Sequence, residues 1–209
     1  MTNSLTLVLA QLNPIVGDVA GNVAKVLSAR AQAAEKGADL LVCAEQVVSG
    51  YPADDLVLKG TFLEAVENGV TQLAETTADN GPALLVGAPW REAEKCYNSA
   101  LLLEGGVVVT ARHKVELPNT GVFDEKRVFT AGTPPGPMNL RGVRLGVGVC
   151  EDMWTPDVSE TLVESGAEFL IFINASPFER DKLDVRMNLA VARVTETGLP
   201  LFYVNQVGG

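Results

Sequence analysis

The sequence predicts an α/β fold, and three features of its patterning support this prediction. Short runs of apolar residues recur along the chain, separated by segments whose apolar residues repeat every three to four positions. Glycine ends most of these helical segments, as is typical of helix C-termini. Strands that alternate with helices in this order form sheets covered by helices. Because the 209 residues contain no repeat, low-complexity tract or linker, we expect one domain over residues 1–209.

The first half of the chain provides three predicted strands and two predicted helices. The strands, beginning with a buried one, are the apolar runs 5–10, 40–43 and 83–88. Either Asp18 or Asn22 can cap the first helix, which Gly37 ends. The second helix ends at Asn80-Gly81 and carries one apolar face, made of Phe62, Val66, Val70 and Leu73.

A predicted hairpin and a long loop occupy the middle of the chain. The runs 98–103 and 107–111 flank Gly105-Gly106, so we expect a hairpin, and therefore mixed sheets. A polar loop follows, from about residue 112 to about residue 141. A loop of this length inside a domain is usually functional or mobile.

The last third of the chain again alternates between strands and helices. One strand contains Gly146 and Gly148 and ends at Cys150, and its glycines predict close approach by a neighbouring backbone or a ligand. Thr155 is the expected cap of a short helix that begins at Pro156 and ends at Gly166. The remaining elements are a strand at 169–173, a helix with Leu183, Met187, Ala190 and Val194 that ends at Gly198, and a strand at 201–204.

Composition excludes several classes of protein. The formal net charge of −10 argues against a general affinity for nucleic acid or anionic membranes. There is no membrane-spanning apolar stretch and no secretory signal, and three cysteines, an odd number, indicate free thiols in a reducing compartment. We therefore expect a cytoplasmic protein. With a single histidine, His113, and no Cys-x-x-Cys pair, the usual zinc sites are excluded, so we expect no metal site.

Three groups that could carry chemistry follow predicted strands: Glu45, Cys150 and the run 174–176. In α/β folds, ligand-binding groups gather beyond the carboxyl ends of strands. Each residue alone has a simpler interpretation, because a lone cysteine is more often a small core residue and a lone acid a solvated loop residue. Cys43 and Cys96 have only that interpretation, as small buried residues. His113 is best explained as a structural neighbour of Lys114.

The ordered set of motifs resembles the nitrilase, or carbon–nitrogen hydrolase, superfamily. Glu45 follows a buried strand, Lys114 lies in the stretch 112–118, and Cys150 lies in Gly-Val-Cys-Glu-Asp. Three further stretches resemble the N-terminal glutaminase domain of glutamine-dependent NAD synthetases, namely 49–56, 117–127 and 173–178. The resemblance implies a four-layer α-β-β-α sandwich with mixed sheets, incomplete at its C-terminal end and without the synthetase domain.

The resemblance also implies a role for each matching residue. Cys150 corresponds to the nucleophile, Glu45 to the general base and Lys114 to the electrostatic stabiliser, while Glu125 corresponds to a second glutamate that braces the lysine. The matching positions that shape the substrate pocket are Tyr51, Phe123, Glu151 and Ser176.

The same roles agree with elementary chemistry. An amide carbon is a poor electrophile, so hydrolysis requires a strong nucleophile and a stabilised oxyanion. A thiol with a pKa near about 8.5 needs a base or a nearby cation to react at neutral pH. Glu45 can accept the thiol proton and pass it to the leaving nitrogen. We expect Lys114 to lower the thiol pKa and to offset the charge of the tetrahedral intermediate.

The activity implied by the resemblance is hydrolysis of the glutamine side-chain amide through a Cys150 thioester. The ammonia would supply ATP-dependent NAD synthesis by the synthetase domain. No cofactor is expected for the glutaminase step, and ATP and Mg are expected only for the synthetase domain. Glutamine is the expected small-molecule partner, and a homo-oligomer is expected.

Two alternatives remain open at this stage. One is a free-standing amidase or carbamoylase of the same superfamily that acts on another small amide. The other is a non-catalytic subunit that keeps the fold for contacts with other proteins.

Overall fold

Nine strands form two mixed sheets in the computed structural model, which describes residues 4–208. The first sheet contains, in spatial order, β1 (Leu7–Leu9), β2 (Leu40–Val42), β3 (Ala83–Glu92), β4 (Lys95–Glu104) and β5 (Val107–His113). The second contains β6 (Met138–Leu140), β7 (Val143–Val149), β8 (Phe169–Asn174) and β9 (Leu201–Asn205). Neighbouring strands β1 to β3 and β7 to β9 are parallel, and the other neighbours are antiparallel, which confirms the predicted mixed sheets and the β4–β5 hairpin.

Four longer helices cover the sheets, and a one-turn helix lies in the predicted loop. They are α1 (Val19–Glu35), α2 (Gly60–Thr76), α3 (Glu125–Val128), α4 (Pro156–Glu164) and α5 (Lys182–Thr197). Asp18 caps α1, because its side chain accepts a hydrogen bond from the Gly21 N–H at 3.0 Å. Thr155 precedes α4 as predicted, but its hydroxyl makes no capping bond, so the fixed φ of Pro156 is what favours the helix start.

Three buried apolar layers show how the elements stack. Val26, Val66 and Leu84 belong to a layer between the first sheet and the helices α1 and α2. A second layer lies between the two sheets, and a third, which includes Leu162 and Phe172, lies between the second sheet and the helices α4 and α5. Each fully buried side chain of this size contributes roughly 1.5–3 kcal/mol to folding. The result is the predicted four-layer α-β-β-α sandwich.

Two of the predicted apolar segments are less buried than their patterns indicate. The first strand is the edge strand β1, where Leu9 is 41% exposed, and not a buried one. The apolar face expected on α5 is largely solvent-facing, with Leu183 68% and Met187 59% exposed. Cys96, expected to be buried, is only half-buried.

The glycines of β7 mainly accommodate side chains, and the expected close approach of a backbone is seen only at Gly146, where the Phe169 carbonyl oxygen would lie 3.1 Å from an added Cβ atom. A Cβ atom on Gly148 would overlap the ring of Phe172, and one on Gly146 would lie 2.7 Å from the Leu170 side chain. A closer backbone approach occurs at Gly87 of β3. A Cβ atom there would overlap the backbone of Gln46, because the turn after β2 lies directly against β3.

Candidate active site

Three chain segments converge where strands of both sheets end. Glu45 lies in the turn after β2, Lys114 directly follows β5, and Cys150 directly follows β7. The exposed fractions are 0% for Glu45 and Lys114 and 5% for Cys150. The simpler interpretation of Glu45 as a solvated loop acid is therefore wrong, and Lys114 is likewise not a surface residue.

Lys114 lies between two buried carboxylates. Its Nζ donates hydrogen bonds to Glu45 Oε1 and to Glu125 Oε1, both at 2.8 Å. Burial alone would lower the pKa of this ammonium, but the negative charges of Glu45 and Glu125 outweigh burial and raise it. Lys114 therefore stays protonated. Because an ammonium has three donors, one N–H remains for a further acceptor.

Glu45 is held at both carboxylate oxygens. Oε1 accepts hydrogen bonds from Lys114 and, at 2.7 Å, from the side-chain amide of Asn98, while Oε2 accepts from the Ala175 N–H at 2.9 Å. Within residues 4–208, Oε2 receives this one bond, although a carboxylate oxygen can accept two. Oε2 is thus the oxygen with capacity for a transferred proton.

Glu125 braces the lysine from the other side. It is 4% exposed, whereas its charged neighbours Asp124 and Arg127 are exposed. The Tyr51 hydroxyl donates to Glu125 Oε1 at 2.8 Å. Burial raises the pKa of Glu125, and the charge of Lys114 pulls that pKa down.

Cys150 adopts a backbone conformation that is rare for a residue with a side chain. Its φ is +46°, and it begins a 3₁₀ turn, Cys150–Met153. A non-glycine residue in the left-handed region costs roughly 1–3 kcal/mol, and such residues cluster at functional sites. The turn places Cys150 at the end of the core between the sheets, where it also lines a cavity.

The thiol of Cys150 is not a resident thiolate. Burial and the charge of Glu45 raise its pKa well above the ordinary value, and the charge of Lys114 only partly offsets them. The charge of Lys114 does lower the thiol pKa, as expected, but burial and the charge of Glu45 together raise this pKa by more. A reaction that uses this sulfur as a nucleophile would therefore need a base to accept the thiol proton.

We expect iodoacetamide to alkylate Cys150 at a rate that still rises with pH above about 9. The folded protein holds the thiol proton more tightly than the unfolded chain does. The resulting contribution to stability is therefore present below about pH 8.5 and lost as the pH rises. Peptide mass spectrometry after timed alkylation, from about pH 6 to about pH 10, measures the alkylation rate of each cysteine. A rate for Cys150 that reaches a plateau near neutral pH would contradict the raised thiol pKa.

A cavity of about 160 Å³ adjoins the sulfur. It is lined by Pro118, Thr120, Phe123, Cys150, Glu151, Trp154, Ser176 and Lys182. The Lys182 ammonium lies 5.8 Å from the centre of the Phe123 ring and 5.7 Å from that of Trp154. Burial raises the pKa of Glu151. The cavity is thus lined by one carboxylic acid and one amine as well as by Cys150.

Three of the four predicted pocket residues line this cavity, and the fourth has a different position. Phe123, Glu151 and Ser176 face the same space as Cys150. Tyr51 lines a neighbouring cavity of about 590 Å³, which shares Phe123 and Ser176 with the smaller one. Its hydroxyl braces Glu125, a contact for which the sequence offers no signal.

His113, Cys43 and Cys96 make contacts that explain them as structural residues. His113 stacks on Tyr97 with ring centroids 3.9 Å apart, and its Nδ1 lies 2.8 Å from the Ser99 hydroxyl. Burial raises the pKa of the Cys43 thiol to about 12 and that of Cys96 to about 11. These groups stay outside the cluster around Lys114. Among residues 4–208, no three His, Cys, Asp or Glu side chains are grouped in a way that could hold a metal ion.

Sequence reasoning missed two buried residues of this region, Asn98 and Asp152. Asn98, 0% exposed, donates to Glu45 from the first position of the predicted strand 98–103, where its polar side chain beside Ser99 gives no signal of a buried role. Asp152 is 2% exposed and lies two residues after Cys150.

No helix in the described part of the chain is both long and apolar enough to cross a membrane.

Comparison with known proteins identifies relatives over the whole chain. Residues 6–209 match the family described as Carbon-nitrogen hydrolase. The glutamine-dependent NAD(+) synthetase of Rhodobacter capsulatus is 44% identical over 209 residues, which are 100% of this chain and 38% of that protein. The corresponding protein of Thermotoga maritima is 34% identical over 207 residues, which are 98% of this chain and 36% of that protein. The chain thus spans little more than a third of the length of these curated relatives.

Solved structures show the same fold. The glutamine-dependent NAD+ synthetase of Acinetobacter baumannii, in complex with adenosine diphosphate, has a TM-score of 0.92 and 32% identity, covering 98% of this chain and 39% of that one. An amidase from Nesterenkonia sp. has a TM-score of 0.86 and 27% identity, covering 100% of this chain and 79% of that one. Nesterenkonia AN1 amidase is a member of the nitrilase superfamily, which agrees with the predicted nitrilase-like sandwich. By its fold and by the match over residues 6–209, this chain belongs to the carbon-nitrogen hydrolase family.

Proposed function

We propose that this chain hydrolyses the side-chain amide of glutamine through a thioester on Cys150. The observation that carries the proposal is the buried cluster of Lys114 and two carboxylates beside a strained cysteine that lines a cavity. The glutamine dependence of the relatives supports the choice of amide. In a mutant of the Nesterenkonia amidase, acrylamide adds to the active-site cysteine by Michael addition, which supports a cysteine nucleophile in this fold.

The first half of the reaction forms the thioester. As the sulfur of Cys150 attacks the amide carbon, its proton passes to Glu45, whose Oε2 has capacity to accept it. The third N–H of Lys114 donates to the oxyanion that develops on the amide oxygen. Glu45 then gives the proton to the leaving nitrogen, the carbon–nitrogen bond breaks, and ammonia departs.

The second half of the reaction releases glutamate. Glu45, again a carboxylate, takes a proton from water while the water oxygen attacks the thioester carbon. The carbon–sulfur bond then breaks, and the thiolate recovers its proton from Glu45. Since the raised pKa of Cys150 favours the thiol, the sulfur returns to its resting form.

The cavity residues indicate a substrate that carries both charges. Glu151 and Lys182 line the space beside Cys150, so an ammonium and a carboxylate can each find an opposite charge. Glutamine carries these two groups on one carbon at the end opposite its amide. We infer that Glu151 receives the α-ammonium and Lys182 the α-carboxylate, with Phe123 and Ser176 shaping the pocket.

A panel of four amides tests this assignment, using the product of the complete reading frame. 4-Carbamoylbutanoic acid lacks the α-ammonium of glutamine, 4-aminobutanamide lacks the carboxylate, and butanamide lacks both. Glu151→Gln is expected to lower kcat/KM for glutamine about tenfold to a hundredfold while leaving that for 4-carbamoylbutanoic acid unchanged. Lys182→Met is expected to do the same to glutamine while sparing 4-aminobutanamide. Ammonia release measured at several concentrations gives these values.

The control and the contrary outcome are both specific. Glu35→Gln removes an exposed carboxylate of α1 and should leave all four substrates unaffected. If Glu151→Gln lowered kcat/KM equally for all four amides, Glu151 would not be the residue that binds the α-ammonium. A wild-type preference for butanamide or for an N-carbamoyl compound over glutamine would favour a free-standing amidase or carbamoylase, a function that the likeness to the Nesterenkonia amidase also fits.

In the full-length protein, we propose, the ammonia supplies NAD synthesis. The relatives of which this chain spans little more than a third are NAD(+) synthetases. A synthetase domain that uses ATP and Mg to form the amide of NAD from its acid precursor would consume the ammonia, which makes the whole a ligase. We place this activity in the cytoplasm and in a homo-oligomer, and the glutaminase step needs no cofactor.

A further inference from the structure

The buried carboxylate of Asp152 binds three backbone N–H groups from two separate segments. Oδ1 accepts from Val115 at 2.9 Å and from Glu116 at 2.8 Å, and Oδ2 accepts from Val149 at 2.9 Å. Val115 directly follows Lys114, and Val149 directly precedes Cys150. The carboxylate therefore joins the two residues next to the amine and the thiol of the site.

This link crosses from one sheet to the other. The backbone of Lys114 otherwise bonds to residues near the first sheet. Its N–H donates to the carbonyl of Asn98 in β4, and its carbonyl accepts from the Gly132 N–H, both at 2.8 Å. Among the hydrogen bonds of the described residues, those to Asp152 are the ones that join the segment 113–118 to the segment 143–154. Besides the apolar packing between the sheets, Asp152 is thus the hydrogen-bonded link between the backbones next to the two chemical groups.

We propose that Asp152 is a positioning residue that sets the distance between the Lys114 ammonium and the Cys150 sulfur. The proposal rests on the proposed amide hydrolysis, in which Lys114 must meet the oxyanion formed by attack of that sulfur. Asp152 itself touches neither sulfur nor substrate in this scheme. It acts through the backbone N–H groups next to Lys114 and next to Cys150.

Only an ionised carboxylate can fill this position. It accepts at both oxygens, whereas an asparagine amide would turn its NH₂ toward one set of N–H donors and leave them unsatisfied. Burial raises the pKa of Asp152 to about 6, while the bonds from Glu116, Val149 and Val115 and the charge of Lys114 pull it down. At neutral pH the group is therefore ionised.

Asp152→Asn is the test, made in the product of the complete reading frame. We expect kcat for glutamine, divided by the number of Cys150 sites that a glutamine-like chloroketone titrates, to fall about tenfold to a hundredfold with little change in KM. Titration removes any unfolded fraction from the comparison. Asp152→Glu, which keeps the charge but lengthens the side chain, should recover part of kcat. Thr77→Val, which removes a buried hydroxyl bonded to the Gly106 N–H far from the site, should not change kcat per site.

A double variant separates positioning from a general structural role. If Asp152 acts through Lys114, adding Asp152→Asn to Lys114→Met should cause little further loss, because the group being positioned is already gone. Additive losses, or a kcat per site in Asp152→Asn equal to that of the wild type, would overturn the proposal while the proposed function stands. Wild-type turnover no greater than that of Cys150→Ala would overturn the proposed function and this inference with it.

Discussion

Cys150→Ala is expected to abolish glutamine hydrolysis, with kcat falling about 10⁴- to 10⁶-fold. The substitution removes the atom that forms the covalent bond, and neither Cys43 nor Cys96 lines the cavity beside Glu151. The fold should tolerate the change, since alanine is small and the strained φ of +46° remains the main cost at this position. Glutamate release in a coupled assay measures the loss.

Matched variants separate chemistry from folding. Cys43→Ala removes a fully buried thiol from the layer between the first sheet and its helices, and should lower stability without lowering kcat. Cys150→Ser keeps an oxygen nucleophile but should remain nearly inactive, because a hydroxyl is harder to deprotonate than a thiol. Turnover in Cys150→Ala equal to that of the wild type would end the hydrolase assignment of this site.

Lys114→Met is expected to damage both activity and stability. Without the ammonium, Glu45 and Glu125 share a buried space with no charge between them, which costs about 3–5 kcal/mol in the free energy of unfolding. Turnover should fall about 10²- to 10³-fold, because the oxyanion loses its charged donor. Urea unfolding followed by tryptophan fluorescence measures the first effect, and ammonia release measures the second.

The stability loss in Lys114→Met should depend on pH in a defined direction. Burial raises the pKa of Glu125, and removing the cation takes away the charge that pulls this pKa down, so the folded protein holds the Glu125 proton more tightly than the unfolded chain does. The contribution of Glu125 to stability is then present at acid pH and lost as the pH rises, so the deficit should be larger at about pH 8 than at about pH 5. Lys36→Met, at an exposed position, is the control and should show no such dependence. A deficit that shrinks as the pH rises would contradict the charge assignment.

The sequence predicted most helices and strands because their signals are local. Gly105-Gly106 predicted the β4–β5 hairpin, and Gly198, with φ +68°, ends α5 as expected. The β3–β4 hairpin was not predicted, because its two-residue turn begins with Ala93 at φ +52°, where the usual Asn-Gly signal is absent. The loop expected from 112 to 141 contains α3 and β6, which are too short to leave a periodic pattern.

The site could be predicted only in part, for a related physical reason. Glu45, Lys114 and Cys150 were identified from the order of their motifs, and the structure brings their segments together. Asn98 and Asp152 were not predicted, because their hydrogen-bond partners are distant along the chain. Asn98 bonds to Glu45, 53 residues away, and Asp152 bonds to Val115, 37 residues away. The net rise in the pKa of Cys150 also depends on burial and on summed charges, which no single motif encodes.

The most direct test of the account is to look for the covalent intermediate. The product of the complete reading frame, mixed with glutamine, quenched rapidly in acid and digested, should yield the Cys150 peptide carrying a glutamyl group. The same peptide should be unmodified after hydroxylamine treatment, which cleaves thioesters, and no adduct should form in Glu45→Gln. Glutamate release without any glutamyl group on Cys150, or with the group on Cys43 or Cys96, would contradict the account.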